Sequence, residues 1–170
     1  VYRPSTNNFH VHFSSAIVDK FFHWGVPGDV PVAGDFNGDG NYDYTIFRPS
    51  TGTWHTVTSN APATYTATVF GLAGDTLVPA DYDGDGKDDY AVLRSGTWYI
   101  LKSSGGMVTL AFGAPGDIAS PGDYDGDHKY DIGVFRPSNG TWYVVKSSDN
   151  TTFAQPFGAS GDVSVPARYI

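Results

Sequence analysis

The sequence contains no cysteine and no glutamate, and residues that favour helices are scarce. The lack of cysteine excludes disulfide bonds, zinc–thiolate sites and a cysteine nucleophile, and it leaves the compartment open. Leucine is infrequent, whereas valine, threonine and aromatic residues, which favour strands, are plentiful. No apolar run approaches the length of a membrane span, so we expect no membrane insertion. With 21 glycines and 11 prolines in 170 residues, the composition predicts an all-β protein with many turns.

Positive charge is also scarce. The chain has 10 lysines and arginines against 18 acidic residues, all of them aspartate, and its formal net charge is −8. Such a chain lacks the basic surface that nucleic acid requires, and we expect no nucleic-acid partner. Aromatic residues make up 15% of the chain, which is enough to fill a core and argues against disorder.

The sequence repeats with a period of 42 to 46 residues. Three acidic segments are copies of one another and begin at Asp35, Asp81 and Asp123. An aromatic-glycine pair precedes each copy and recurs once more, at Trp24–Gly25, Phe70–Gly71, Phe112–Gly113 and Phe157–Gly158. The period is the size of one four-stranded propeller blade. Helical solenoids share this period, but the residues here are poor helix formers.

One repeat unit divides into four short strands separated by turn residues. The pattern predicts strands at Val78–Asp81, Tyr90–Arg94, Thr97–Lys102 and Met107–Phe112. The chain opens in a second strand, at Val1–Arg3, and ends in a lone first strand, at Val163–Tyr169. Pairing of the two terminal strands would remove the open sheet edges and close a ring of four blades.

We therefore predict one β-propeller domain over residues 1–170. Blade 1 is shared by 163–170 and 1–27, and the other blades span 30–72, 76–114 and 118–159. One alternative is a fragment of a larger ring. Another is an eight-bladed ring made by two chains that exchange their end strands, so the chain is a monomer or an end-strand-exchanged dimer.

The acidic loops place oxygen-bearing side chains at alternate positions, as loops that bind calcium do. The candidate ligands at positions 1, 3, 5, 7 and 9 are Asp35, Asn37, Asp39, Asn41 and Asp43, then Asp81, Asp83, Asp85, Lys87 and Asp89, then Asp123, Asp125, Asp127, Lys129 and Asp131. A backbone carbonyl serves at position 7, so lysine is acceptable there. An all-oxygen ligand set favours calcium over zinc.

The flanking sequence argues against an EF-hand. An EF-hand needs a glutamate at position 12 and helices on both sides, whereas position 12 here is Ile46, Val92 or Val134 within predicted strands. The fourth copy has Arg168 at the first ligand position, so we predict three calcium ions. His128 replaces the glycine of the other loops at position 6, where a left-handed conformation is needed, and the third site is expected to be the weakest.

Taken together, these motifs resemble FG-GAP/VCBS-type repeats. The Phe-Gly pair, the downstream Gly-Asp pair and the Asp-x-Asp-x-Asp-Gly-x-x-Asp loop carry the resemblance, which covers nearly the whole chain. It implies a β-propeller, structural calcium, an extracellular or cell-surface location and a role in binding. Members of the family are known from integrin α-subunits and bacterial surface proteins, and they include fungal lectins that hold sugars between blades.

Two further sets of residues recur once per blade. Four arginines recur in the repeats, equal in number to the aspartates of the four Gly-Asp pairs. They predict either one structural ion pair per blade or a ring of arginines that binds an anion. The aromatic residues of the third strands either fill the core or line pockets where sugars stack. The candidate ligand-binding residues of this set are Trp54, Trp98 and Trp142.

No catalytic constellation is evident, and we predict that the chain is not an enzyme. The expected function is that of a secreted, calcium-stabilised binding module, with carbohydrate as one ligand class, which would make it lectin-like. The alternative is a structural or adhesive segment that binds other surface proteins. A third interpretation is a scaffold within a polysaccharide-active enzyme.

Overall fold

The computed structural model describes residues 1–12, 19–60, 63–162 and 164, and all the regular elements in this part of the chain are β-strands. Among these residues, no helix is long and apolar enough to cross a membrane. The all-β prediction is therefore confirmed. The chain divides into two compact units, Val1–Gly74 and Asp75–Ile170.

The first unit contains two antiparallel sheets. A three-stranded sheet has the order β1-β2-β3, formed by Tyr2–Arg3, Asn8–His12 and Asp19–His23. A four-stranded sheet has the order β4-β5-β6-β7, formed by Val30–Val32, Tyr44–Arg48, Thr53–Val57 and Tyr65–Val69. Tyr44 packs between the two sheets, with its ring 4.5 Å from that of Phe22 and 5.7 Å from that of Phe9.

The second unit contains two four-stranded sheets with sequential strand order. The first is formed by β8 to β11, which are Thr76–Leu77, Tyr90–Arg94, Thr97–Leu101 and Met107–Ala111. The second is formed by β12 to β15, which are Ile118–Ala119, Ile132–Arg136, Thr141–Val145 and Thr152–Pro156. Alternating apolar side chains from both sheets form one core, which includes Trp98, Ile100 and Val134.

The repeat unit matches the prediction except at its first strand. The second strand spans Tyr90–Arg94 as predicted, and the third and fourth end one residue early. The first strand is Thr76–Leu77 rather than Val78–Asp81, followed by an isolated bridge between Ala80 and Asp89. Backbone hydrogen bonds continue on both sides of Pro79, from the N–H of Val78 to the carbonyl of Ala91 at 2.9 Å and from the N–H of Asp89 to the carbonyl of Ala80 at 2.8 Å.

The four sheets have the strand order of propeller blades, and one of them has three described strands. The predicted closing strand, Val163–Tyr169, lies outside the described residues except for residue 164, and Arg168 lies outside them too. Ring closure, the number of blades and the single-domain boundaries therefore stay predictions.

Each four-stranded sheet contains one arginine–aspartate ion pair, which is the structural interpretation of the repeated arginines. Arg48, at the end of β5, binds Asp29 through two bonds of 2.9 Å. Arg94 and Arg136 form the same two-bonded pairs with Asp75 and Asp117, and these aspartates are almost fully buried. Each pair fastens the turn that enters a sheet to the end of its second strand.

The fourth strand of each four-stranded sheet is mostly exposed. Four of the five residues in β7, β11 and β15 are exposed. Each of these strands is held by backbone pairing along its full length with the third strand. The fourth strands therefore contribute little to the cores.

Candidate metal centre

Each acidic loop connects the first strand of a four-stranded sheet to its second strand. The loops run from β4 to β5, from β8 to β9 and from β12 to β13. In the first loop, Gly38 and Gly40 have positive φ angles of 78° and 83°. These left-handed residues bend the chain around its own first aspartate.

The first aspartate of each loop is held by backbone donors. Asp35 accepts the N–H of Gly38 at 2.8 Å and that of Gly40 at 2.7 Å. The same two bonds recur at Asp81 and Asp123. The orientation of this carboxylate is thus set by the loop itself.

Carboxylates converge in the second and third loops. In each, one oxygen from positions 1, 3 and 5 lies within 4.8 Å of the other two. The two triads are Asp81, Asp83 and Asp85, and Asp123, Asp125 and Asp127. The first loop has Asn37 at position 3, with its side-chain oxygen accepting the N–H of Asp39 at 2.8 Å. Three negative charges this close repel one another, and a bound cation would relieve the repulsion.

Serines that the sequence analysis missed contact these carboxylates. Ser103 donates its hydroxyl to Asp85, and Ser104 donates to Asp83, both at 2.5 Å. In the third loop, the corresponding hydroxyls belong to Ser147 and Ser148. These serines lie in the turn between the third and fourth strands. They recur at equivalent positions of two repeats, and this recurrence could have identified them from the sequence.

The aspartates at position 9 clamp each loop to the same turn. Asp89 is fully buried and accepts the N–H of Tyr82 at 3.0 Å and that of Ser103 at 2.8 Å. Asp43 and Asp131 accept the equivalent pairs of bonds. Both oxygens of each clamp are therefore engaged with the backbone. Their predicted role as ligands stays a prediction.

The clamps lie in an unfavourable environment for negative charge. Burial raises the pKa of Asp89 to about 6, and the neighbouring Asp83 and Asp81 carboxylates add to the effect. Burial also raises the pKa of Asp43 and Asp131. A cation beside each loop would favour the ionised carboxylates.

Position 7 is held next to the carboxylate at position 5. The backbone N–H groups of Asn41, Lys87 and Lys129 donate to that carboxylate at 2.9, 2.9 and 2.8 Å. Their side chains are not needed for this arrangement, which agrees with the variation at this position. Coordination by their carbonyl oxygens stays a prediction.

These residues fit a hard divalent cation. The converging ligand atoms are all oxygens, and neither thiolate nor imidazole occupies a candidate ligand position. The backbone bonds hold the carboxylates together despite their charge. A cation bound there would neutralise the carboxylates and cross-link the loop.

Replacing His128 by glycine is expected to stabilise the protein by about 1 kcal/mol and to strengthen calcium binding at the third loop, because a non-glycine residue is strained at positive φ. His128 has φ of 69°, and its equivalent in the second loop, Gly86, has 86°. Thermal melts and calcium titrations of His128→Gly and the parent would measure both effects. An unchanged melting temperature in chelator would contradict the strain, and Gly86→Ala, which should destabilise, is the matched control.

The three tryptophans predicted as ligand contacts lie within the sheets. Trp54 and Trp98 have no exposed surface, and Trp142 is partly exposed. Each indole N–H donates to the carbonyl of the aromatic residue in the repeated aromatic-glycine pair. The core interpretation is thus supported, and we do not place Trp54 or Trp98 in a ligand site.

Comparison of the chain with protein-family models, with curated proteins and with solved structures found no match.

Proposed function

We propose that the chain is a calcium-stabilised binding module built from propeller-type blades. The observation that carries this proposal is the convergence of three carboxylates in each of two loops, on a backbone that repeats in a third loop. Calcium accepts six to eight oxygen ligands in flexible geometry, whereas magnesium requires a near-ideal octahedron and retains its waters. A loop that supplies several carboxylates and a carbonyl suits calcium better.

A structural role for the ion is favoured over a catalytic one. The carboxylates are bonded to backbone N–H groups and serine hydroxyls, which ties the ion site to the turn between the third and fourth strands. When bound, calcium would neutralise the loop charge and cross-link it. Asp81, Asp83 and Asp85 would hold it in the second loop, and the matching residues would do so in the others.

The resemblance to FG-GAP/VCBS-type repeats supports the same proposal. It favours an extracellular or cell-surface location, where sites with dissociation constants of about 10⁻⁴–10⁻³ M are filled. The partners inferred for the module are carbohydrate or surface protein. The structural use of the carboxylates supports a non-enzymatic role.

The proposal is tested by measuring the number of calcium ions bound per chain and the molecular mass of the protein. Equilibrium dialysis and light scattering should give three ions per 18.2 kDa chain, since three loops carry the ligand pattern. Replacing Asp83 and Asp85 together by asparagine should remove one ion. Asp149→Asn, an exposed aspartate outside the loops, should remove none. A chain that binds no calcium, or a double variant that still binds three ions, would overturn the proposal.

A further inference from the structure

Two of the acidic loops contact each other within the second unit. The backbone N–H of Tyr130, which follows position 7 of the third loop, donates to the carbonyl of Asp81, the first residue of the second loop, at 2.8 Å. The rings of Tyr130 and Tyr82 meet edge to face, with centres 6.5 Å apart. Tyr82 is buried, and Tyr130 packs against the same core. A main-chain bond and an aromatic contact therefore hold the two loops together.

A lysine of the third loop covers part of the second loop. The side chain of Lys129 lies so close to Gly84 that a Cβ added to this glycine would come within 3.0 Å of the lysine Cγ and Cε atoms. Gly126 has the same position in the third loop, and among the described residues nothing but its chain neighbours lies within 4 Å of a Cβ added there. The third loop thus packs on the second through its residue at position 7.

One peptide group belongs to both candidate sites. Its C=O end is the carbonyl of Lys129, the predicted main-chain ligand of the third loop, and its N–H end is the Tyr130 donor that binds Asp81. A peptide group is planar and rigid, so neither end can turn without the other. The N–H of Lys129 itself donates to the carboxylate of Asp127 at 2.8 Å. These contacts connect Asp127 in one triad with Asp81 in the other.

Asp81 connects this peptide group to the rest of the second loop. Its carboxylate accepts the N–H of Gly84 at 2.6 Å and that of Gly86 at 2.9 Å, while its carbonyl accepts the N–H of Tyr130. When its triad holds a cation, Asp81 is restrained, and so is the acceptor of the Tyr130 N–H. When the carbonyl of Lys129 holds a cation, the peptide plane is fixed and its N–H becomes a stronger donor to Asp81.

We propose that the second and third loops bind calcium cooperatively and that the Lys129–Tyr130 peptide group couples them. The inference deepens the proposed function by naming how two of its sites are regulated, and it rests on these loops binding calcium. Coupling between sites is reciprocal, so an ion in either loop raises the affinity of the other by the same factor. One hydrogen bond accounts for a factor of about three to ten. The two sites then fill over a narrower range of calcium concentration than independent sites do.

The test follows calcium binding loop by loop in the full chain. NMR titration of the amide signals of Gly84 and Gly126 reports on the second and third loops separately, because each N–H donates to the first aspartate of its own loop. Asp83→Asn combined with Asp85→Asn disables the second loop. This double variant should weaken calcium binding at the third loop about three- to tenfold.

The reciprocal variant disables the third loop. Asp125→Asn combined with Asp127→Asn should weaken calcium binding at the second loop by the same factor. Both double variants also remove negative charge, which lowers the attraction for calcium through space. Titrations in about 1 M KCl, where the Debye length is about 3 Å, separate the coupling from this general effect.

The role of the peptide group is tested by replacing Tyr130 with its α-hydroxy acid analogue, which keeps the side chain and removes the N–H. Disabling the second loop in this ester variant should leave the calcium affinity of the third loop unchanged. Lys129→Ala is the matched control, because it removes the side chain over Gly84 and keeps the peptide bond, so the coupling should persist. Melting temperatures check the folding of each variant, and the two double variants measure the coupling independently of the ester.

Three outcomes would overturn the inference. The first is a third loop that binds calcium equally well with and without a functional second loop in high salt. The second is coupling that survives in the ester variant. In the third, Gly84 and Gly126 both respond to calcium but do so independently, which rejects this inference and leaves the calcium proposal intact. Amide signals that do not respond at up to about 10 mM calcium would reject both.

Discussion

Removal of calcium by a chelator is expected to lower the melting temperature by about 20 °C. A site filled at a hundred times its dissociation constant stabilises a fold by about 2.7 kcal/mol, so three sites contribute about 8 kcal/mol. The total stability of a typical domain is only about 5–15 kcal/mol. The physical source is the repulsion within the triads, such as that of Asp81, Asp83 and Asp85, which the ion removes.

Differential scanning calorimetry in calcium at about a hundred times its dissociation constant and in excess chelator measures this shift. Magnesium at the same concentration should restore only a small part of it, because the loops suit flexible coordination. The variant with Asp83 and Asp85 both replaced by asparagine should lose about a third of the shift. A melting temperature that is the same with calcium and with chelator would refute the stabilising role of the ion.

Replacing Asp89 by alanine is expected to destabilise the chain by about 2–6 kcal/mol even in chelator. The side chain is fully buried, and both of its oxygens accept backbone N–H groups, from Tyr82 and Ser103. Alanine leaves both donors without a partner, and each unsatisfied buried donor costs about 1–3 kcal/mol. Urea unfolding in chelator measures the effect without any contribution from bound calcium.

Asp83→Asn is the matched control for the clamp. Asp83 belongs to a triad, and the backbone N–H of Asp85 that it accepts at 3.3 Å can bond equally to the side-chain oxygen of asparagine. Its replacement should weaken calcium binding and leave the stability in chelator unchanged or slightly raised, since it removes one repelling charge. If Asp89→Ala and Asp83→Asn had the same stability in chelator, position 9 would not be a structural clamp.

The strands were predictable from the sequence because local patterns determine them. Thr97–Leu101 alternates between buried and partly exposed residues, and the Ser-Gly pair that separates it from Tyr90–Arg94 marks a tight turn. Ser95 and Gly96 in that turn both have positive φ, as such hairpins require. The first strand was placed two residues late because Val78 is apolar and attracts a strand assignment, and its N–H does pair with the carbonyl of Ala91 beyond the end of β8.

The candidate metal site was predictable only in part. Ligand positions that alternate within one loop are local, and the triads they predict are found in two loops. The serine contacts and the clamps join residues 14 to 23 positions apart, and the pairing of whole strands determines them.

Because the fourth strands are exposed, sequence changes in them are expected to affect folding less than changes in the cores or the acidic loops. In β7, β11 and β15, backbone hydrogen bonds to the neighbouring third strand fix the position of the fourth strand. The exposed side chains of these strands add little to folding. Substitutions at the exposed positions of these three strands can therefore accumulate without disturbing the cores or the loops. For protein engineering, the three strands offer separate places to display an epitope, a charge pattern or an affinity tag.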